Sequence, residues 1–373
     1  MTVHRLIGSP LAAIIFLVTA GTVSAQTQKE LLDELDRTIE EAESYVSAKE
    51  LRIKTIENTL HSRGVSPERQ YRIYGELFDE YQPFNYGKAV ETLDKQMEIA
   101  MLLGDKSKLN DVYLKEAMLN TAAGEFLEAR NDLARVDTTI FTKEQEIAYC
   151  NVQQRFWFDY DENLKGADKS MLRKVAYYRE RLLALADPSS SLSRYVTVRK
   201  YIDEKYFAQA DFINRHSLSR MDPASHDYAN LAYFQARICE SLNRREEMKN
   251  WFIRSAMADI KTATKDNASL FSLADALFKD GDYARAFKYS SFSLEDAIAF
   301  DAKLRQWQIS AILPAVQKSY TDIQQTHQKK TSNMLVAMYV LVFLLLPDFD
   351  SLKIPFFLRS DNQYIVKSAD FSG

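Results

Sequence analysis

Two short runs in the chain, YVTVR and YFQAR, place a tyrosine four residues before an arginine: Tyr195 with Arg199, and Tyr233 with Arg237. Residues four apart share one face of a helix, so each tyrosine stands beside its arginine. A guanidinium is a planar fork of donors that grips a carboxylate through two parallel hydrogen bonds. Two such pairs along one groove would make a cationic and aromatic strip for a carboxylate or an acidic peptide. The competing expectation is ordinary packing, with the tyrosines between helices and the arginines in solvent.

Other chemistry is hard to find. His61, His216, His226 and His327 are isolated, and none stands at metal-ligand spacing from cysteine or another histidine. The run DYDENLKG (159–166) has the flavour of a calcium loop, but Gly166 falls two places too late for the turn such a loop requires. No glycine-rich phosphate loop and no GxSxG elbow is present, and the acidic residues are scattered as on solvated helix faces. The chain is expected to be non-enzymatic, with no catalytic residue, no metal and no cofactor. Its 48 Lys and Arg against 52 Asp and Glu give a net charge of −4, so it lacks the basic footprint of a nucleic-acid binder.

The elements that would position the Tyr–Arg pairs are helices. Only 10 glycines and 8 prolines occur in 373 residues, and no long loop-like tract is visible. The stretch FSLADALFKDGDYARAFKYSSFSLEDA (271–297) puts small residues at Ala274 and Ala286, with Gly281-Asp282-Tyr283 between them. It resembles one tetratricopeptide helix–turn–helix repeat. A step back by the interval that separates Tyr233 from Tyr195 gives Ala236 and Met248. A second equal step gives Val198 and Ala210, with Tyr206-Phe207 at the turn. The two Tyr–Arg pairs therefore hold the same place in adjacent repeats. Further upstream, Ala117, Gly124, Phe126 and Ala129 keep the register, as do Tyr86, Ala89 and Leu93; a weaker unit lies around 150–182. About six units cover 67–300, each with a face it cannot bury unless it stacks on a neighbour. The 21 Phe, 20 Tyr and 3 Trp suit that packing. In this register Cys150 and Cys239 lie two units apart, beyond the roughly 7 Å that a disulfide spans, so both are expected as buried free thiols.

Before the repeats, residues 26–66 read as one long helix. Leu32, Leu35, Ile39, Ala42, Val46, Ile53, Ile56 and Leu60 form a heptad-like seam, with Lys49 the misfit. A capping helix laid along the first repeat is favoured, and a coiled-coil homodimer through this helix is the alternative. Gly64 and Pro67 end it. Ahead of it, residues 1–25 have the build of a secretory signal peptide, with a single Arg5, an apolar core from Leu11 to Ala20 and a small-x-small ending at Val23-Ser24-Ala25. After the repeats, 301–333 reads as a terminal stalk helix. Leu304, Trp307, Ile312, Val316, Tyr320 and Ile323 lie on its apolar side, with a kink expected at Pro314. It leads into the apolar run 334–346, about 20 Å of helix against a hydrocarbon core of roughly 30 Å.

This order of parts resembles a family of exported, membrane-anchored tetratricopeptide regulators of gut-type Gram-negative bacteria, over residues 1 to about 346. The resemblance implies an all-α solenoid whose first helices line a concave groove, outside the inner membrane and anchored by a C-terminal span. It also implies a cytoplasmic coiled coil and a helix-turn-helix output domain beyond the span. The stretch from Pro347 to Gly373 matches neither, lacking heptads and a basic helix. It reads as an aberrant tail after a transmembrane helix truncated at about two-thirds of its length. The function expected is an extracytoplasmic sensor that recognises a protein or peptide through its repeats and meets the membrane through 334–346. A periplasmic scaffold without signalling output and a glycan-acting envelope enzyme are the alternatives.

Overall fold

The computed structural model describes residues 28–345 except 61, 63, 164–168, 266, 267 and 302. The signal segment, His61, Gly166 and the tail 347–373 lie outside the described residues, as does the side chain of Leu304. Fifteen α-helices and one 3-10 turn, Thr138–Ile140, make up the described chain, and no strand occurs among the described residues. Two compact units divide it, residues up to Val316 and residues from Gln317.

Helix α1 covers 28–40 and α2 Ala42–Leu60. Six helix pairs follow: α3 Pro67–Tyr81 with α4 Tyr86–Leu103, α5 Lys106–Ala123 with α6 Phe126–Arg135, and α7 Lys143–Asn163 with α8 Lys169–Leu185. Then come α9 Ser191–Asp203 with α10 Phe207–Leu218, α11 His226–Ser241 with α12 Arg245–Lys261, and α13 Ser269–Asp280 with α14 Tyr283–Phe300. The chain is thus an all-α tetratricopeptide-like solenoid of six helix pairs. Its register follows from size exclusion where helices cross. The small positions of the first helices, Ala117, Val198, Ala236 and Ala274, are all at most 1% exposed. The fourth residues of the second helices, Ala89, Ala129, Ala210, Met248 and Ala286, are buried as well.

Turns keep the same period. Lys205, Asn243 and Gly281 are equally spaced along the chain, and all adopt the left-handed conformation, with φ of 63°, 57° and 87°. Each closes the first helix of its pair, where an αL residue lets the chain reverse while capping the last carbonyls. Glycine takes this conformation at no steric cost, whereas a Cβ costs about 1–2 kcal/mol. Side-chain caps start α4 and α5, where Asn85 accepts the Lys88 N–H at 2.9 Å and Asp105 that of Lys108 at 3.0 Å. Cys150 and Cys239 are both free and buried, on α7 and α11.

The N-terminal helix departs from the sequence expectation in three ways. A turn at Glu41 breaks it into α1 and α2, so the seam does not run straight for four heptads. Second, α1 is laid along the last repeats rather than the first. Leu32 and Leu35 are buried among Ile253, Ile260 and Tyr289 of the last two pairs. Asp36 accepts hydrogen bonds from Arg285 (2.9 Å), Lys288 (2.9 Å) and Tyr289 (3.2 Å), and Asp33 accepts from Arg285 at 2.6 Å. Only α2 reaches the first repeat, where the apparent misfit Lys49 is 4% exposed and pairs with Glu80 at 3.2 Å. Third, Leu32, Leu35 and Ile53 of the expected seam are buried by packing within the chain itself.

The array also curls until its first pair meets its last two. The Lys265 N–H donates to the Pro83 carbonyl at 2.7 Å. Tyr86 packs edge-on against Phe300 at 6.3 Å, and the ammoniums of Lys49 and Lys265 both lie over the Phe84 ring. Beyond the last pair, α15 runs from Lys303 to Leu345 with Pro314 inside it. Its first turns bury Ile309 and Val316, so this part packs on the repeats instead of standing off as a stalk. In the second unit, its last turns expose every large apolar side chain from Met334 to Leu344. Among the described residues no helix is long and apolar enough to cross a membrane.

Around Gly281 a Cβ would meet nothing within 4 Å, so Gly281→Ala should cost only the backbone term, about 1 kcal/mol. Lys205→Gly should gain a similar amount or less, both read as shifts of the thermal midpoint. Asp36→Ala should strip the buried Tyr289 hydroxyl of its partner and cost about 1–3 kcal/mol, with faster amide exchange across 28–40. Burial alone would raise the Asp36 pKa, yet the hydrogen bonds from Lys288 and Arg285 hold it below the usual carboxylate value. The tie should therefore be complete above the ordinary carboxylate range and weaken as pH falls through the lowered folded value.

Candidate functional site

Three of the four residues singled out from the sequence line one cavity of about 200 Å³. Tyr195 and Arg199 enter from α9 and Tyr233 from α11; Arg155 of α7 and Arg305 of α15 join them, with Asp259 of α12 on the wall. The fourth, Arg237, faces elsewhere, paired with Glu240 at 2.7 Å. The two Tyr–Arg pairs therefore do not form one continuous strip, despite their identical register.

Packing explains much of how the tyrosines sit. The Tyr195 ring tilts against Phe234 at 5.0 Å, and Tyr233 lies 5.8 Å from Phe252 and 6.1 Å from Phe234. Arg199 is held by aromatic faces: its guanidinium lies 3.8 Å over Phe158 and 5.5 Å from the Phe234 ring. Asp203 pairs with Arg199 at 3.5 Å but also accepts a hydrogen bond from Arg179 at 2.8 Å, so one carboxylate serves two guanidiniums. Stacking fixes the plane of the fork and leaves its N–H edge to bind in plane. Arg155 pairs with Asp159 at 3.1 Å. Arg305 donates to the Gln308 side chain at 2.9 Å, while its Nε is buried without a hydrogen-bond partner.

A second cavity, of about 700 Å³, lies between α11, α13 and the first turns of α15. Met248, Phe252 and Phe271 form its apolar lining, and Trp307 stands beside them, 69% exposed. Its rim carries both signs of charge, with Arg237, Arg245 and Lys279 against Glu240 and Asp275. A third, about 670 Å³, sits where the array closes on itself and is lined by Lys49, Asp79 and Glu80 with Arg155 and His226. Burial raises the Asp79 carboxyl there, with Lys115 opposing it, and lowers the Lys49 ammonium against the pull of Glu80. Among the described residues no group of three His, Cys, Asp or Glu side chains is placed to hold a metal ion.

Sequence reasoning missed Arg155, Arg305 and Trp307 as cavity residues. Arg155 belongs to the degenerate third pair, where no repeat register could assign it a face. Arg305 and Trp307 sit on the helix expected as a stalk, and only its docking onto the last repeats turns them toward the cavities. A signal does exist for Trp307, the single tryptophan of that helix, although its place in an apolar stripe disguises it.

The family model described as SusR N-terminal TPR domain matches residues 39–311 of the chain. The match begins at the end of α1 and stops within the part of α15 that carries Trp307 and Gln308. No curated protein shows significant similarity to the chain.

Among the described residues the hydroxyls of Tyr195 and Tyr233 have no hydrogen-bond partner, and both rings are packed. Tyr195→Phe and Tyr233→Phe should each change stability by less than about 0.5 kcal/mol. Replacement by Ala should cost roughly 3–5 kcal/mol, as for other packed aromatic rings. Chemical denaturation of the four variants would check both expectations.

Proposed function

The chain belongs to the SusR N-terminal TPR domain family, and we propose that it is a non-enzymatic extracytoplasmic sensor module that binds a protein or peptide. Tetratricopeptide domains in general mediate protein–protein contacts. The observation that carries the proposal is the cavity holding Trp307. An exposed indole beside Phe252 and Phe271, ringed by paired charges, offers an apolar anchor point with a polar rim, the composition of an interaction hot spot. Its size matches one or two bulky side chains, with the rim left to hydrogen-bond a peptide backbone.

The C-terminal half of α15 supports membrane attachment. From Met334 to Leu344 its large apolar side chains are 46% to 75% exposed, on every side of the helix. Soluble proteins rarely leave so much contiguous apolar surface in water, and a bilayer would cover all sides at once. We place the repeats in the periplasm, with this segment entering the inner membrane as part of a transmembrane helix. On this proposal the chain is the sensor half of a membrane-bound transcriptional regulator.

A peptide array probed with the full chain tests the binding reading. Retained peptides should share a bulky apolar residue, and Trp307→Ala should weaken them roughly 10- to 30-fold, the loss typical of a tryptophan hot spot. An array that retains no peptide, together with turnover in a hydrolase panel, would overturn it. Protease added to intact spheroplasts should digest 26–333 if the repeats face the periplasm; protection of that region would refute the placement.

A further inference from the structure

The smaller cavity has a lining unlike the other two. Three guanidiniums converge on about 200 Å³ from three separate helices, Arg155 of α7, Arg199 of α9 and Arg305 of α15, and among the described residues Asp259 is the single carboxylate on its wall. Their acidic partners stand outside the lining: Arg155 pairs with Asp159 at 3.1 Å. Here Asp203 is divided between Arg199 and Arg179, and Glu162 acts on Arg199 from outside the lining. Arg305 is the least satisfied of the three, since among the described residues its one side-chain partner is the neutral Gln308 and its Nε is buried without an acceptor. A buried donor left unpaired costs about 1–3 kcal/mol and calls for an acceptor that the protein itself does not supply. Asn230, Ser255 and Ser269 add neutral hydrogen-bonding groups to the same wall.

We infer that this cavity is a binding site for a carboxylate, held between Arg199 and Arg305 with Arg155 completing the charge. A carboxylate is planar and has four acceptor sites, so it can take one fork from each of two arginines. The stacked Arg199 guanidinium is already fixed for that purpose. The volume admits the carboxylate and only a few further atoms. The ligand is therefore a small organic acid, or the terminal carboxylate of a peptide whose remainder lies outside. Because Arg305 belongs to α15, occupancy joins this helix to α7 and α9 and strengthens its docking on the repeats. The inference rests on the reading that the repeats present a ligand face, but it involves a different cavity from the one that holds Trp307.

The test is calorimetric titration and thermal shift of the full chain at constant ionic strength, with succinate, with a short apolar peptide ending in a free carboxylate, and with the same peptide amidated. Succinate or the free-acid peptide should bind and raise the thermal midpoint, while the amide should bind at least tenfold more weakly than the acid. Binding of succinate alone assigns a small acid, and binding of the peptide acid alone assigns a chain terminus. Arg199→Gln and Arg305→Gln should each weaken binding at least tenfold. Arg305→Lys, which keeps the charge but loses the fork, should fall between Gln and wild type and serves if a Gln variant does not fold. A chloride control that reproduces the shift, equal binding of acid and amide, or wild-type affinity in the Arg305 variants would overturn the inference. Peptide retention that depends on Trp307 but ignores the carboxylate would sink this site and leave the proposed function standing. Succinate binding with no peptide retained would do the reverse.

Discussion

The carboxylate of Asp36 accepts hydrogen bonds from Arg285, Lys288 and Tyr289, and through it helix α1 is fastened to the last helix pair. A stack of helix pairs has no partner for the outer faces of its end units, and an array of six must cover both. Here α1 covers the last two pairs with Leu32 and Leu35, and α2 carries the chain across to the first, where Lys49 meets Glu80. One N-terminal segment therefore serves both ends. The direct contacts of Pro83 with Lys265 and of Tyr86 with Phe300 close the curve that this segment spans.

Closure limits what the concave face can do. An open solenoid offers an extended peptide a long groove, with successive first helices reading successive residues. In this chain the first turns of α15 bury Ile309 and Val316 against the last repeats, and this helix supplies a wall to two of the three cavities. Separate pockets replace a continuous strip, which is why Arg199 and Arg237 face different spaces although both follow a tyrosine at the same interval. The same arrangement makes α15 part of both cavity walls.

Electrostatics inside the array follows from burial more than from net charge. Cys150 and Cys239 are pushed up to about 11 by burial, so both are neutral and unreactive at physiological pH. Guanidiniums, which do not lose their proton under such conditions, must instead find acceptors or aromatic faces. Arg199 stacks on Phe158, and Arg135 lies 4.0 Å over Tyr113 while pairing with Glu116 and Asp132. Lysines at the junction are treated in the same way, with Lys49 and Lys265 sharing the Phe84 ring. Among the described residues Arg305 meets neither an aromatic face nor an acid, only Gln308, which sets it apart.

The sequence by itself determined the repeat. Small residues at Val198, Ala236 and Ala274 recur at one fixed interval, with turns at Tyr206-Phe207 and Asp282-Tyr283 in the same register, because helix crossings and tight turns are local demands that each unit must meet alone. The six pairs and the buried thiols were legible for that reason. The partner of the N-terminal seam was not, since an apolar stripe states that it must be buried and not against what. Tertiary structure decided that α1 docks on residues more than 200 positions away, that the misfit Lys49 has a carboxylate to meet, and that Arg155, Arg199 and Arg305 share one cavity. Contacts of this kind depend on how far the stack curls. The curl is the sum of small rotations between neighbouring pairs, and no single repeat encodes it.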